Sequence, residues 1–182
     1  DVRVPVANLV GLENDGWTLA KFLLGNERSG IARVGWTKTK VARAKELAAQ
    51  TPAAGGGTLA DDPRYAGRIA ELENELLALE LTQLRVVASS TDGRPNPASS
   101  LLKLHGSQLQ QAATELLADI AGPDSLPVAA VDAGAANGSA EIASPEWAQL
   151  SVPTYLNHRK VTIYGGSSEV QRQIIDKAVL GL

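Results

Sequence analysis

From Pro63 to Ser90 the chain has no proline after the first residue and only Gly67 as a break, and its apolar residues recur at helical spacing. Ile69, Leu72, Leu76 and Leu79 follow a heptad rhythm, the pattern of an α-helix with one buried stripe. Leu77, Leu81 and Leu84 widen that stripe, so more than one side of the helix must be covered. A helix this apolar requires neighbours on both flanks, which is the packing of a helical bundle. Its start is marked by Asp62-Pro63, a capping side chain followed by proline at the first helical position. Asn96-Pro97 repeats the signal before a further run, Ala98 to Ala121. There Leu102, His105, Leu109, Ala112, Leu116 and Ile120 share one side, and Gly122-Pro123 stops it. His105 in that stripe reads as a packed, hydrogen-bonded histidine rather than a catalyst.

Composition agrees with helices. Hydrophobic residues make up 44% of the 182 residues and aromatics only 4%, so Ala and Leu fill the core. The expected fold is all-α, an up-and-down four-helix-type bundle. Long helices are expected near 17–49, 63–90 and 98–121, and a terminal helix from about 167. The first would be roughly 50 Å long. Gly25, Gly30 and Gly35 interrupt it, each at up to about 1 kcal/mol relative to alanine, which suggests close backbone approach or room for a ligand. Asn14 or Asp15 is the candidate cap. Residues 1–12, with Pro5 among alternating valines, read as the end of a preceding β-domain or an extended lead-in. Residues 13–182 form the bundle, 123–146 a mobile loop, and Leu156 to Ile163 a short helix. The chain begins at Asp1 and reads as part of a longer protein.

Several function classes recede. The net charge is −3 with acidic and basic residues interspersed, which does not suit nucleic acid. There is no cysteine and only two histidines, so no metal site is expected. No apolar run reaches the ~18 residues of a membrane span, and no leader is visible at Asp1, so a cytoplasmic location is the default expectation.

The tail carries the strongest local motif. Tyr164-Gly165-Gly166-Ser167-Ser168-Glu169-Val170-Gln171-Arg172 combines a two-glycine turn, a serine that can cap a helix and a first-turn carboxylate. Val170, Ile174 and Ala178 then form a row, with Ile175 and Val179 beside it. On spacing alone this is a turn before a terminal helix, and its free N–H groups are able to hold a polar ligand edge.

The tail, ending in Val179-Leu180-Gly181-Leu182, resembles the C-terminal signature of the acyl-CoA dehydrogenase family. Gly16-Trp17, Glu27-Arg28 and the stretch Ser99 to Gly106 followed by Gln110-Gln111 resemble the same family in the same order, its bacterial branch in particular. The resemblance covers nearly the whole chain and implies the C-terminal helical domain of such an enzyme. It implies FAD, an acyl-CoA substrate, α,β-desaturation, a homo- or hetero-tetramer, and electron-transfer flavoprotein as acceptor. The segment alone is expected to be inactive. Many members place the catalytic glutamate directly after the tail tyrosine, where this chain has Gly165. Another branch carries it on the first bundle helix, just before an arginine, and Glu27 occupies that place. The plainer reading of Glu27 is a solvated helix residue paired with a nearby cation.

The resemblance further implies that Arg28 and Gly166 face the substrate and that Ser167, Ser168 and Glu169 meet the flavin. Two stretches depart from the pattern. Pro63-Arg64-Tyr65-Ala66-Gly67 replaces Arg-x-x-Phe-Gly, and Asp119-Ile120-Ala121-Gly122-Pro123 replaces Gln-x-x-Gly-Gly. In the family both help hold the flavin's diphosphate and adenine. The alternative is therefore a non-catalytic partner subunit or helical assembly module of a mixed tetramer.

Overall fold

A computed structural model describes residues 1–89, 96–126 and 144–182, and excludes the side chains of residues 25, 26, 28 and 29. The described residues are helical and contain no strand. Helix α3, Pro63–Ala88, begins as its sequence requires: the Asp62 carboxylate accepts the backbone N–H of Arg64 at 2.9 Å, with proline at the first position. Its Ile69, Leu72, Leu76 and Leu79 are buried. Helix α4, Ser99–Ala121, follows a turn in which Asn96 accepts from the N–H of Ala98. The turn before Asn96 and most of the 123–146 loop lie outside the described residues; the part that is described opens with a 3-10 turn, Gly122–Ser125.

The expected helix over 17–49 is two helices. Helix α1 covers Gly16–Ile31 and α2 covers Val34–Gln50, and Arg33 between them is left-handed, with φ 48°. The cause is tertiary. A Cβ on Gly106 of α4 would sit 2.6 Å from Ala32 Cα and 2.8 Å from its carbonyl oxygen. The two backbones therefore cross in contact at the break, where Ala32 is 0% exposed. Gln110 of α4 donates to the Ile31 carbonyl at 2.9 Å, satisfying a group that leaves the helix ladder there. Gly30 and Gly35, expected to mark a close approach or room for a ligand, have nothing within 4 Å of where a Cβ would stand and so border open space. The close approach is made by Gly106 instead.

Helix α4 is the hub, packed against α1, α2, α3 and the C-terminal elements. The core joins Val41, Ala44 and Leu47 of α2 to the α3 stripe and to Leu102, Leu109 and Leu116 of α4. A fully buried leucine contributes about 1.5–3 kcal/mol. The cross-helix pairs Lys38–Glu80 and Lys45–Glu73, both 2.8 Å and half exposed, contribute about 0–1 kcal/mol each. Apolar burial, not ion pairing, holds the bundle. His105 is half-exposed and meets Glu75 at 2.7 Å, a hydrogen-bonded surface histidine.

The C-terminal third wraps back onto α4. Short helices α5, Glu146–Gln149, and α6, Ser151–Asn157, lead into a 3-10 segment, His158–Thr162. The helix expected over 156–163 is thus the end of α6 plus this 3-10 segment. Gln111 of α4 donates to the carbonyls of His158 and Arg159, and Arg159 donates back to the Gln111 carbonyl. His158 also stacks on Trp36 of α2 with ring centroids 4.7 Å apart. These bonds fix the segment that delivers the tail. Helix α7, Ser168–Ile175, closes the chain with a π turn at Asp176–Leu180. Residues 1–10 are exposed and carry a 3-10 turn at Val6–Asn8.

Candidate functional site

The site is built where α1, α4 and α7 meet. Gly165 and Gly166 turn the chain with φ +70° and +95°, a backbone that side chains other than glycine disfavour. A Cβ on Gly165 would strike Ile31 Cδ1 at 2.5 Å. Ile31 stands one helical turn after Glu27, so residues 27 and 31 share a face of α1. The tail turn and Glu27 are therefore separated by one helical turn of α1. Glu27 is exposed. The side chain of Arg28 lies outside the described residues.

Ser167 precedes α7 but does not cap its backbone with its side chain. Its hydroxyl donates instead to the Glu169 carboxylate, and that bond is the largest of the causes holding the carboxyl below its ordinary value. The backbone N–H of Glu169 and the charges of Arg172 and Lys103 add to it. The apolar row Val170, Ile174 and Ala178 is not the buried face of this helix. Gln171 and Ile175 are buried, while Val170 is 45% exposed.

Beneath the turn lies a polar seam that the sequence reading missed. Ser99, Lys103, Gly106 and Gln110 share one face of α4, and all are buried. Gln171 of α7 is 0% exposed and donates to the Gly165 and Gly166 carbonyls at 3.2 and 3.3 Å. Among the described residues, Ser99 Oγ, Lys103 Nζ, Gln110 Oε1 and Gln171 Oε1 are buried polar atoms with no protein hydrogen-bond partner. Such atoms are rare in folded proteins and concentrate at sites with a task. A single lysine, Lys103, in line with Ser99, Gly106 and Gln110 on one face of α4 was the available signal. No group of three His, Asp or Glu able to hold a metal occurs among the described residues, and none of their helices is long and apolar enough to cross a membrane.

The charges here set a pH dependence of stability. Glu169, like Asp61 beside Thr58 and Asp62 beside Arg64, has a depressed carboxyl. Such a group stabilises the fold above its unfolded value, and the contribution is lost as pH falls through the folded one. Lys103 is lowered from the ordinary 10.5 by burial, with Glu169 opposing. The unfolded state then binds more protons just below 10.5, so stability rises with pH in that window. The unfolding midpoint is expected to fall with acidification below pH ~4.5 and to rise on the alkaline side. Lys103→Met should flatten the alkaline slope and, by removing one of the charges that hold Glu169 down, weaken the acid one slightly, as read by thermal melts across pH.

A family model described as "Acyl-CoA dehydrogenase, C-terminal domain" matches residues 14–180. The chain is 31% identical, over its whole length, to the acyl-CoA dehydrogenase FadE26 of Mycobacterium tuberculosis, of which it spans 44%. It is 32% identical to the acyl-CoA dehydrogenase IpdE1 of Mycolicibacterium smegmatis and spans 41% of it. It thus covers less than half the length of these relatives. Among solved structures, the ChsE4-ChsE5 complex of Mycobacterium tuberculosis superposes with a TM-score of 0.75 at 29% identity, over 100% of this chain and 44% of that one.

Proposed function

Because the chain belongs to the acyl-CoA dehydrogenase family, as its C-terminal domain, we propose that the protein it builds is an FAD-dependent oxidoreductase that desaturates an acyl-CoA thioester, with Glu27 as the base. The observation that carries this reading is the Ile31–Gly165 contact. It sets Gly165 against a residue one helical turn from Glu27 on the same face of α1, which supports a reading in which either position could serve the same substrate carbon. Glu27 would take the α-proton; Arg28, its neighbour, would face the acyl-CoA. The flavin, when bound, accepts the β-hydrogen as hydride. The turn suits a close ligand: Gly166 offers bare backbone, and Ser167, Ser168 and Glu169 stand at the start of α7, where they would meet the flavin.

A second reading rests on a separate observation. Pro63 stands where the family pattern has its arginine, and the neighbouring Arg64 is engaged by its own cap: its guanidinium donates to Asp62 at 2.7 to 3.3 Å. A chain without that arginine for a diphosphate would serve as a non-catalytic partner subunit. Absorption spectra of the purified full-length protein separate the two. A flavin spectrum that bleaches on adding an acyl-CoA supports the enzyme; a protein that stays colourless after reconstitution with FAD supports the partner.

Either reading needs an assembly. Leu77, Leu81, Leu84 and Val87 form a ridge along α3 that is 54–62% exposed, the kind of patch that a second subunit covers. A homo- or hetero-tetramer is the proposed state, with electron-transfer flavoprotein as the proposed electron acceptor. Light scattering of the full-length protein at micromolar concentration should give a mass of several subunits; a monodisperse monomer would contradict it.

A further inference from the structure

Gln110 and Gln111 are consecutive residues of α4. Neighbouring side chains of a helix point about 100° apart, so the two amides leave α4 toward different elements. Gln110 is 0% exposed. Its Nε2 donates to the Ile31 carbonyl at 2.9 Å and to the Gly106 carbonyl at 3.2 Å. Ile31 ends the helix that carries Glu27, and its side chain stands where a Cβ on Gly165 would strike. Gln111 is half-buried. Its Nε2 donates to the His158 and Arg159 carbonyls at 3.2 and 3.1 Å, and the Arg159 guanidinium donates back to the Gln111 carbonyl at 3.1 Å. That segment runs on into the tail turn, with the N–H groups of Ile163 and Tyr164 on the Lys160 carbonyl at 2.9 and 3.3 Å. The Gln110 oxygen has no protein donor. Burying an unpaired acceptor is costly, and a methionine there would avoid that cost. The glutamine is therefore explained by where its N–H groups go.

We propose that Gln110 and Gln111 form a positioning dyad, one amide holding the end of α1 and the other the entry to the tail turn, so that a single step of α4 sets how these two segments stand relative to each other. Each amide binds backbone carbonyls, not side chains, so it fixes the course of the chain itself. Gln110 acts through Ile31 on the helix that carries Glu27. Gln111 acts through His158 and Arg159 on the Gly165–Gly166 turn. Neither touches a reacting atom. The consequence for catalysis rests on the proposed reading of Glu27 and the tail turn as the substrate site; the positioning rests on the hydrogen bonds alone.

The test uses the full-length protein, with amide hydrogen exchange over residues 16–31, 158–166 and 63–88. Gln110→Met keeps the length of the side chain and removes the donor. Exchange in 16–31 should then accelerate by roughly tenfold or more, with α3 at the parent rate. Gln111→Met should do the same to 158–166, again with α3 unmoved. Single-turnover flavin reduction is measured with the acyl-CoA that the parent desaturates fastest. Its rate constant should fall by roughly tenfold or more in each variant, while the concentration giving half the maximal rate stays within about threefold, because a misplaced group slows the chemical step more than it weakens binding. That rate constant does not depend on the fraction of protein folded, so a simple loss of fold would not mimic it.

Gln111→Glu supplies a check independent of whether Gln110→Met folds. Its position is half-buried, and it sets a carboxylate against two carbonyl oxygens, so 158–166 should exchange at least as fast as in Gln111→Met. The dyad is overturned if Gln110→Met leaves 16–31 at the parent rate, or if either Gln111 variant leaves 158–166 there. It is equally overturned if a variant accelerates α3 as much as its own segment, since the glutamine would then support the whole bundle rather than position one part. Accelerated exchange with an unaltered rate of flavin reduction would uphold the dyad and reject α1 and the tail turn as parts of the substrate site.

Discussion

Alanine at Gly106 is expected to destabilise the bundle by about 3 kcal/mol, at the upper end of overpacking effects. The new Cβ would meet Ala32 Cα at 2.6 Å, its carbonyl oxygen at 2.8 Å and its Cβ at 3.0 Å. A flexible side chain could swing away, but two of these three atoms are backbone, and Ala32 is sealed in the core at 0% exposure. Relief requires α1 and α2 to lift from α4, which stretches the bond from Gln110 to the Ile31 carbonyl. For a domain of this size the loss corresponds to a fall in melting temperature of roughly 6–12 °C. Gly30→Ala is the matched control. It sits in α1 with nothing within 4 Å of the new methyl and should stabilise by up to about 1 kcal/mol through helix propensity. Thermal melts that showed the same sign for both would mean the helices do not cross as described.

On the proposed role of Glu27 as base, Glu27→Gln in the full-length protein should reduce the rate of desaturation by on the order of 10²–10⁴, the value of a positioned base. The swap keeps the shape of the side chain but cannot accept the α-proton. Glu27 is exposed, so flavin content and unfolding midpoint should stay at parent values. A parent rate in single-turnover flavin reduction would leave Glu27 as an ordinary helix residue. The tail supplies the complementary experiment. Gly165→Glu must place a side chain at φ +70° and against Ile31 Cδ1. The left-handed backbone costs about 1–2 kcal/mol. Activity should therefore return in the Glu27→Gln background when Ile31 is also shortened to alanine, and not with Gly165→Glu alone.

What the sequence made legible was local. Asp62-Pro63 and the α3 leucines carry their own cap and period, so that helix needs no distant information. The break at Arg33 was not legible, because nothing near residue 33 requires it. Arg33 is left-handed because Gly106, more than seventy residues later in the chain, lets α4 press on Ala32. The glycines at 30 and 35 mark the right region, where the space beside them is open, and the close approach is made by Gly106. In the site, the sequence offers Glu27 and Gly165 as a complementary pair, and the structure sets Gly165 against Ile31, one helical turn from Glu27. Gln171 and Lys103 were missed because polar residues in an amphipathic pattern are expected to face water. Here the buried face of α7 is centred on Gln171, with Ile175 beside it, and the row of Val170 and Ala178 is turned outward.

The break between α1 and α2 also divides the molecule into unequal cooperative units. In α1, Trp17, Phe22 and Leu23 are 55–72% exposed, and firm burial begins only at Ala32, just past its end. By contrast α2, α3 and α4 share one continuous core. Local opening of α1 costs the loss of its C-terminal anchor at Ala32 and Ile31, and leaves that core intact. The packing of α1 on α4 is accordingly a small local contribution rather than a share of the common core. A neighbour docking on the Trp17–Leu23 face, far from any substrate atom, would add to it and lengthen the time that the helix carrying Glu27 stays closed.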